Sequence, residues 1–154
     1  MRRRCLLALW VLALLFVSAC GSEETVSPDP QELFAAMEEQ LSLPELVDMT
    51  DEYLEMGVGI QASSYDSAVY YLPEDGILPD EIAIIRAVDS QQADAIQSAL
   101  EERLAYKEKS AQVYLTENMP VIQQGVIRRD GLTISLIVSE QVEEIEELFD
   151  SMNG

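Results

Sequence analysis

Apolar residues open the chain as an unbroken run from Leu6 to Val17, and nowhere later do they run as long. From Pro30 onward the pattern turns periodic. Leu33, Met37 and Leu41 recur at spacing four with Phe34 beside them, which predicts an amphipathic helix from about Pro30 to Leu41. Asp29 stands where its N-cap belongs, Pro30 at the first helical position, and Glu32 where a capping box would close. Thr50 followed by Asp51 to Met56 predicts a second, short helix stopped by Gly57.

Period two takes over at Tyr65. The Tyr- and Val-rich stretch Tyr65 to Leu72 predicts a strand, with Ala68, Tyr70 and Leu72 on one face and Val69 and Tyr71 on the other. Pro73-Glu74-Asp75-Gly76 makes a turn. Glu81 to Val88 is almost continuously apolar, as in a central strand covered on both faces or nearly so. Asp89 then caps a long helix to about Tyr114, with Ala93, Ile96, Leu100 and Leu104 as its inner stripe. Val121 to Arg129 and Leu132 to Ser139 flank Asp130-Gly131, the preferred composition of a tight type I′ hairpin. A two-residue loop there pairs Ile127 with Ile134 and Gly125 with Leu136. It turns Leu132, Ile134, Leu136 and Val138 to the core and Thr133 and Ser135 away. Ser139 caps a last helix with Val142, Ile145, Leu148 and Phe149 inward.

Strand–strand–helix therefore occurs twice, after one or two leading helices. The fold class expected is α+β. We expect two layers, an antiparallel four-stranded sheet of two ββα units with its helices on one face.

The first apolar run has a different meaning. Met1-Arg2-Arg3-Arg4 precedes it and Ser18-Ala19-Cys20-Gly21 follows it, the charged start, apolar middle and small-residue exit of a secretory signal. At 12 residues it is short for a membrane-spanning helix, which needs about 20. Val17-Ser18-Ala19-Cys20 resembles the lipobox of bacterial lipoproteins. By that resemblance the Cys20 thiol takes a diacylglyceryl group and becomes the first residue of the mature chain. Acyl chains in the plural make such an anchor stable. The organisation expected is a lipoprotein signal peptide over 1–19, a lipidated Cys20 with a polar, acidic tether over 20–29, and one domain over 30–154.

Composition narrows the chemistry. With the leader removed, 6 Lys+Arg face 29 Asp+Glu, a net charge of −23. Such a chain lacks the basic footprint that nucleic acid or an anionic membrane surface demands. Histidine is absent, and the two cysteines are Cys5 in the leader and Cys20. Ser-His-Asp and Cys-His catalysis, a mature disulfide, and zinc sites built on His or Cys all fall away.

Carboxylates supply the remaining candidates. Glu74, Asp75, Asp80 and Glu81 cluster around a loop-to-strand junction, with the oxygen donors a hard cation such as calcium takes. Their spacing does not match an EF-hand, and a solvated acidic loop is the favoured account of them. A paired-carboxylate hydrolase would need two carboxyls about 5–10 Å apart across a cleft. Tyr53, Tyr65, Tyr70 and Tyr71 form the densest aromatic group, suited to a core, an edge strand or an interface. Arg103 and Lys107 share a helical face where they can take an anionic ligand or neutralise Glu101, Glu102 and Glu108.

Lipobox, acidic tether, Asp80-Glu81-Ile82-Ala83-Ile84, a long polar helix ending near Tyr114-Leu115 and a strand ending Ile137-Val138-Ser139 together resemble a known family. These are lipoproteins of Gram-positive anaerobes designated domain of unknown function 4358, and the similarity extends over roughly residues 45–150. The resemblance implies export and a single domain, and it carries no catalytic residue or cofactor. The function expected is a membrane-anchored extracytoplasmic binding or interaction domain, not an enzyme. Its ligand would be an envelope protein, a peptide or a cation. A carboxylate- or calcium-dependent envelope hydrolase and an accessory subunit of an envelope complex are the alternatives.

Overall fold

A computed structural model describes residues 28–74 and 76–153. The leader, the lipobox (Val17, Ser18, Ala19 and Cys20) and most of the tether lie outside the described residues, as does Asp75.

Helix α1 (Pro30–Gln40) begins as its sequence dictates: Pro30 sits in its first turn and Asp29 Oδ1 accepts from the Gln31 N–H at 3.0 Å. A short strand β1 (Leu46–Asp48) follows, then helix α2 (Thr50–Tyr53). β1 is a strand the periodicity did not predict, because three residues cannot establish a period of two. The predicted helix over 51–56 is also reshaped. α2 widens at Leu54–Val58 into a turn of π geometry, and it ends at Gly59, whose φ of 83° only glycine adopts easily. Asp48, not Thr50, supplies the carboxylate at its start, accepting from the Thr50 N–H at 2.9 Å.

Strands β2 (Tyr65–Pro73) and β3 (Glu81–Ala87) lead into helix α3 (Ser90–Tyr114), capped by Asp89, whose Oδ1 accepts from the Gln92 N–H. A short helix α4 (Met119–Ile122), β4 (Val126–Asp130), β5 (Thr133–Val138) and α5 (Val142–Asn153) complete the chain. The predicted strand over 121–129 thus begins five residues late, because Pro120 opens a helical turn that consumes Val121 and Ile122.

The sheet has five strands, in the order β1-β2-β3-β5-β4, and every pairing is antiparallel. The hairpin register differs from expectation by two residues: Ile127 faces Leu136 and Asp130 faces Thr133. The loop is therefore Gly131-Leu132, with a φ of 61° at Gly131 and no positive φ at Leu132. Glycine at the first central position fits a type II′ turn, whereas type I′ requires φ above zero at both.

Helices cover both faces, which overturns the expected two-layer, four-stranded arrangement. Ala83, Ile85, Ile134, Leu136 and Val138 pack under Ala93, Ile96 and Leu100 of α3. Ile82, Ile84, Ile137 and Val69 pack under Leu33, Phe34 and Met37 of α1 and under Val142, Ile145, Leu148 and Phe149 of α5. The two ββα units send their helices to opposite sides, so the likeness between them is not a structural repeat. The physical reason is legible in β3 and β5. Both are apolar on consecutive residues, and a strand buried on both faces needs cover on both. Thr133 and Ser135, expected to point away from the core, are buried beneath this second layer, while Leu132 is exposed. The last helix starts at Val142, and Ser139 Oγ accepts from the Gln141 N–H ahead of it.

Candidate functional site: a locked carboxylate beside an aromatic cleft

Alternation along β3 decides the fate of the acidic junction. Glu81 shares a face with Ala83 and Ile85 and so points under α3; Asp80, one residue earlier, belongs to the opposite side. Arg103 and Lys107, four apart on α3, bring their cationic ends together over the first residue of β3. Glu81 is 0 % exposed, and its carboxylate is held on both oxygens. Arg103 donates from Nε to Oε1 at 2.7 Å and from Nη2 to Oε2 at 2.9 Å, and Lys107 Nζ donates to Oε2 at 2.8 Å. The Tyr70 hydroxyl, from the same face of β2, donates to Oε1.

Burial by itself would raise the Glu81 pKa. The Arg103 hydrogen bonds and then the Lys107 charge outweigh it, and the carboxyl is held below its usual 4.5. Tyr70 is driven far upward, first by burial and then by the Glu81 charge, so its hydroxyl keeps its proton. The cluster is two cations on one anion, and it carries one excess positive charge in a strongly acidic chain. Arg103 and Lys107 were expected to neutralise Glu101, Glu102 and Glu108 on their own helix. They serve a carboxylate 22 and 26 residues away instead, which a helical wheel cannot reveal.

Asp80 is 6 % exposed. Its pKa is raised chiefly by burial, against the opposing hydrogen bonds from Ser139 and its own backbone. It borders a separate cleft of about 260 Å³ with Ser42, Pro44, Ser139 and Gln141. Gln141 bridges there to the backbone of Ser42. Asp80 and Glu81 therefore do not converge on one ligand, and Glu74 is exposed on the turn. Among the described residues no group of three or more His, Cys, Asp or Glu is placed to hold a metal ion.

On the solvent side of the locked carboxylate lies a cleft of about 360 Å³, between the 53–58 segment and α3. Tyr53, Gly57, Val58, Ala99, Glu102, Arg103 and Tyr106 line it. The Arg103 guanidinium carbon stands 5.3 Å from the centre of the Tyr53 ring and 5.9 Å from that of Tyr106. Tyr53 in turn leans on Tyr70, with centroids 5.2 Å apart. Tyr71 takes the other side of the sheet and stacks on Phe34 at 3.6 Å, 7° from parallel. Tyr106 and Val58 had not been singled out in the sequence. Tyr106 had a usable signal, since it lies three residues beyond Arg103 on the same helical face. Val58 had none, because its place depends on the widened turn.

Arg86 pairs with Asp29 and Asp66, Arg128 with Asp130 and Asp150, and Arg129 with Asp94. Of the six cations among the described residues, Lys109 alone stands outside an ion pair there.

Fold and site together define a class: a mixed α+β domain whose antiparallel sheet begins its central strand with a buried, cation-locked carboxylate. Over residues 39–139 the chain matches the model of a family described as Domain of unknown function (DUF4358), and it belongs to that family. The match runs from the last turn of α1 to the end of β5 and leaves out α5, whereas the resemblance had been expected over about 45–150. No curated protein and no solved structure matches the chain. Among the described residues no helix is long and apolar enough to cross a membrane.

Proposed function

We propose that this protein is an extracytoplasmic lipoprotein, anchored through Cys20, whose domain binds a ligand or partner and performs no catalysis. The observation that carries this reading is the state of Glu81. Among the described residues the most deeply buried carboxylate, Glu81, is saturated by Arg103, Lys107 and Tyr70, so it serves as a structural anchor and not as a proton carrier. Beside it stands an open cleft walled by tyrosines, the kind of surface that recognises by contact area and a polar tip. A paired-carboxylate hydrolase is disfavoured because Asp80 and Glu81 face opposite sides of the sheet. The anchor rests on the cationic start, the apolar run and the lipobox, and an acidic domain of this charge needs such a tether to stay at a membrane.

Two measurements test the reading. Cys20→Ala should move the protein from the membrane to the soluble fraction or block its processing; unchanged mass and membrane retention would end the anchor claim. The full chain in neutral detergent should be stabilised against heat by members of a panel of envelope peptides and glycans, without turning any of them over. Turnover abolished by Asp80→Asn would replace the binding reading with the hydrolase.

A further inference from the structure

Arg103 has one donor group left over. Its Nε and Nη2 are consumed by Glu81, whereas Nη1 makes no hydrogen bond among the described residues. That atom is not sealed in, since the Thr133 hydroxyl is the one buried side-chain polar atom without a partner among the described residues. The Arg103 side chain is 13 % exposed, and it lines the cleft bounded by Tyr53 and Tyr106. A guanidinium already fixed on two of its nitrogens is a preorganised donor, because its rotamer entropy has been lost on folding.

Of the cluster's two cations Arg103 lines this cleft, beside the rings of Tyr53 and Tyr106, whereas Lys107 lines another, and Glu102 is the acid of the lining. The cleft's volume of about 360 Å³ falls within the range of small-molecule sites, roughly 300–1,000 Å³. Val58, Ala99 and the ring faces supply its apolar walls, and Glu102 with Arg103 its charged ones.

Resting on the binding reading above, we infer that this cleft is a carboxylate site: Arg103 Nη1 holds the carboxylate of a ligand whose aromatic or apolar body lies between Tyr53 and Tyr106. Two sources present that chemistry, a free aromatic acid and the C-terminus of a peptide ending in an apolar residue. Glu102 on the rim selects against a second negative charge on the ligand and accepts a neutral or cationic one.

The test is a side-chain NMR titration of the full Cys20→Ala chain, reading the Arg103 Nε–Hε and Tyr106 ring signals. Benzoate and Gly-Gly-Phe are the probes, with benzamide and Gly-Gly-Phe-amide as their uncharged counterparts. Saturable shifts at Arg103 and Tyr106 are expected with at least one acid, together with binding at least tenfold weaker for its amide. Tyr106→Ala should weaken the acid severalfold. Tyr106 is 64 % exposed, so its loss should leave the fold intact. Glu102→Gln should improve binding of a dianion, phthalate, relative to benzoate. Preference for benzoate alone assigns the free acid, and preference for the peptide assigns a C-terminus. Equal response to acid and amide, shifts that avoid Arg103, or no response from a folded protein would each overturn the carboxylate assignment. The binding reading would still stand or fall on the thermal panel, which includes ligands without a carboxylate.

Discussion

Replacing Glu81 with Gln isolates the electrostatic role of the locked carboxylate. The side chain keeps its shape and one carbonyl oxygen, but its amide group now faces donors from Arg103 or Lys107. Three charge-assisted hydrogen bonds, at 2.7, 2.9 and 2.8 Å, lose their ionised acceptor. Each such bond contributes about 1.5–3 kcal/mol, and removing one partner from a buried ion pair costs about 3–5 kcal/mol in all. Arg103 and Lys107 keep 13 % and 14 % exposure, so both can recover some hydration. That puts the expected loss at the low end, about 3 kcal/mol, and lowers Tm by about 10–15 °C for a domain of this size. Urea unfolding followed by far-ultraviolet circular dichroism measures it directly. The sign with pH is fixed as well. A carboxyl whose folded pKa lies below its usual 4.5 stabilises the fold above that value, and the contribution is lost as pH falls through the depressed folded value. The penalty of Glu81→Gln should therefore be full at neutral pH and shrink in strong acid. A loss under about 1 kcal/mol at neutral pH, or a penalty that does not shrink in acid, would refute this account. An apolar replacement of the whole cluster, Glu81→Leu with Tyr70→Phe, Arg103→Met and Lys107→Met, should restore most of the stability, because it removes the uncompensated charge and the orphaned hydroxyl along with the pair.

Asp80 should behave in the opposite sense. Its folded pKa is raised, so its ionised form weighs against folding at neutral pH and the burden lifts as pH falls through the raised value toward 3.8. Asp80→Asn should therefore gain on the wild type at neutral pH and lose that advantage below about pH 4, as paired urea titrations would show; an advantage independent of pH would contradict it. Tyr70→Phe removes a hydroxyl from a fully buried ring and leaves Glu81 Oε1 one donor short, at an expected cost of about 1–2 kcal/mol in the same assay. A cost near zero would mean that Arg103 alone satisfies that oxygen. Gly125→Ala would place a Cβ 2.9 Å from the Ile122 carbonyl, 3.0 Å from Val138 Cγ2 and 3.1 Å from Leu104 Cδ1. With backbone among the crowding atoms, about 1–3 kcal/mol should be lost, and an unchanged urea midpoint would show that α4 can move away.

Periodicity and local chemistry made much of the framework legible in advance. Leu33, Met37 and Phe34 with an Asp-Pro start define α1, Asp89 defines the beginning of α3, and the split of Tyr70 from Tyr71 follows from alternation in any strand. These features depend on neighbours within one element, where sequence spacing is spatial spacing. The same locality explains the misses. β1 is too short to show a period, the turn at Gly131-Leu132 is chosen by register rather than by the Asp-Gly pair, and the widened turn at 54–58 answers to packing. The number of layers was implicit in the unbroken apolar runs of β3 and β5. Which helix covers which face was not, because a helix can return to either side of an antiparallel sheet.

The sequence by itself determined the charge of the chain and the absence of histidine, and it singled out Asp80-Glu81 as a pair. Only the tertiary structure decided what those two acids do. It parts the two acids onto opposite faces, seals Glu81 beneath Arg103 and Lys107, and sets Arg103 in the wall of a cleft. A carboxylate's role is set by the donors that surround it, and those donors come from a helix whose distance along the chain says nothing of its distance in space.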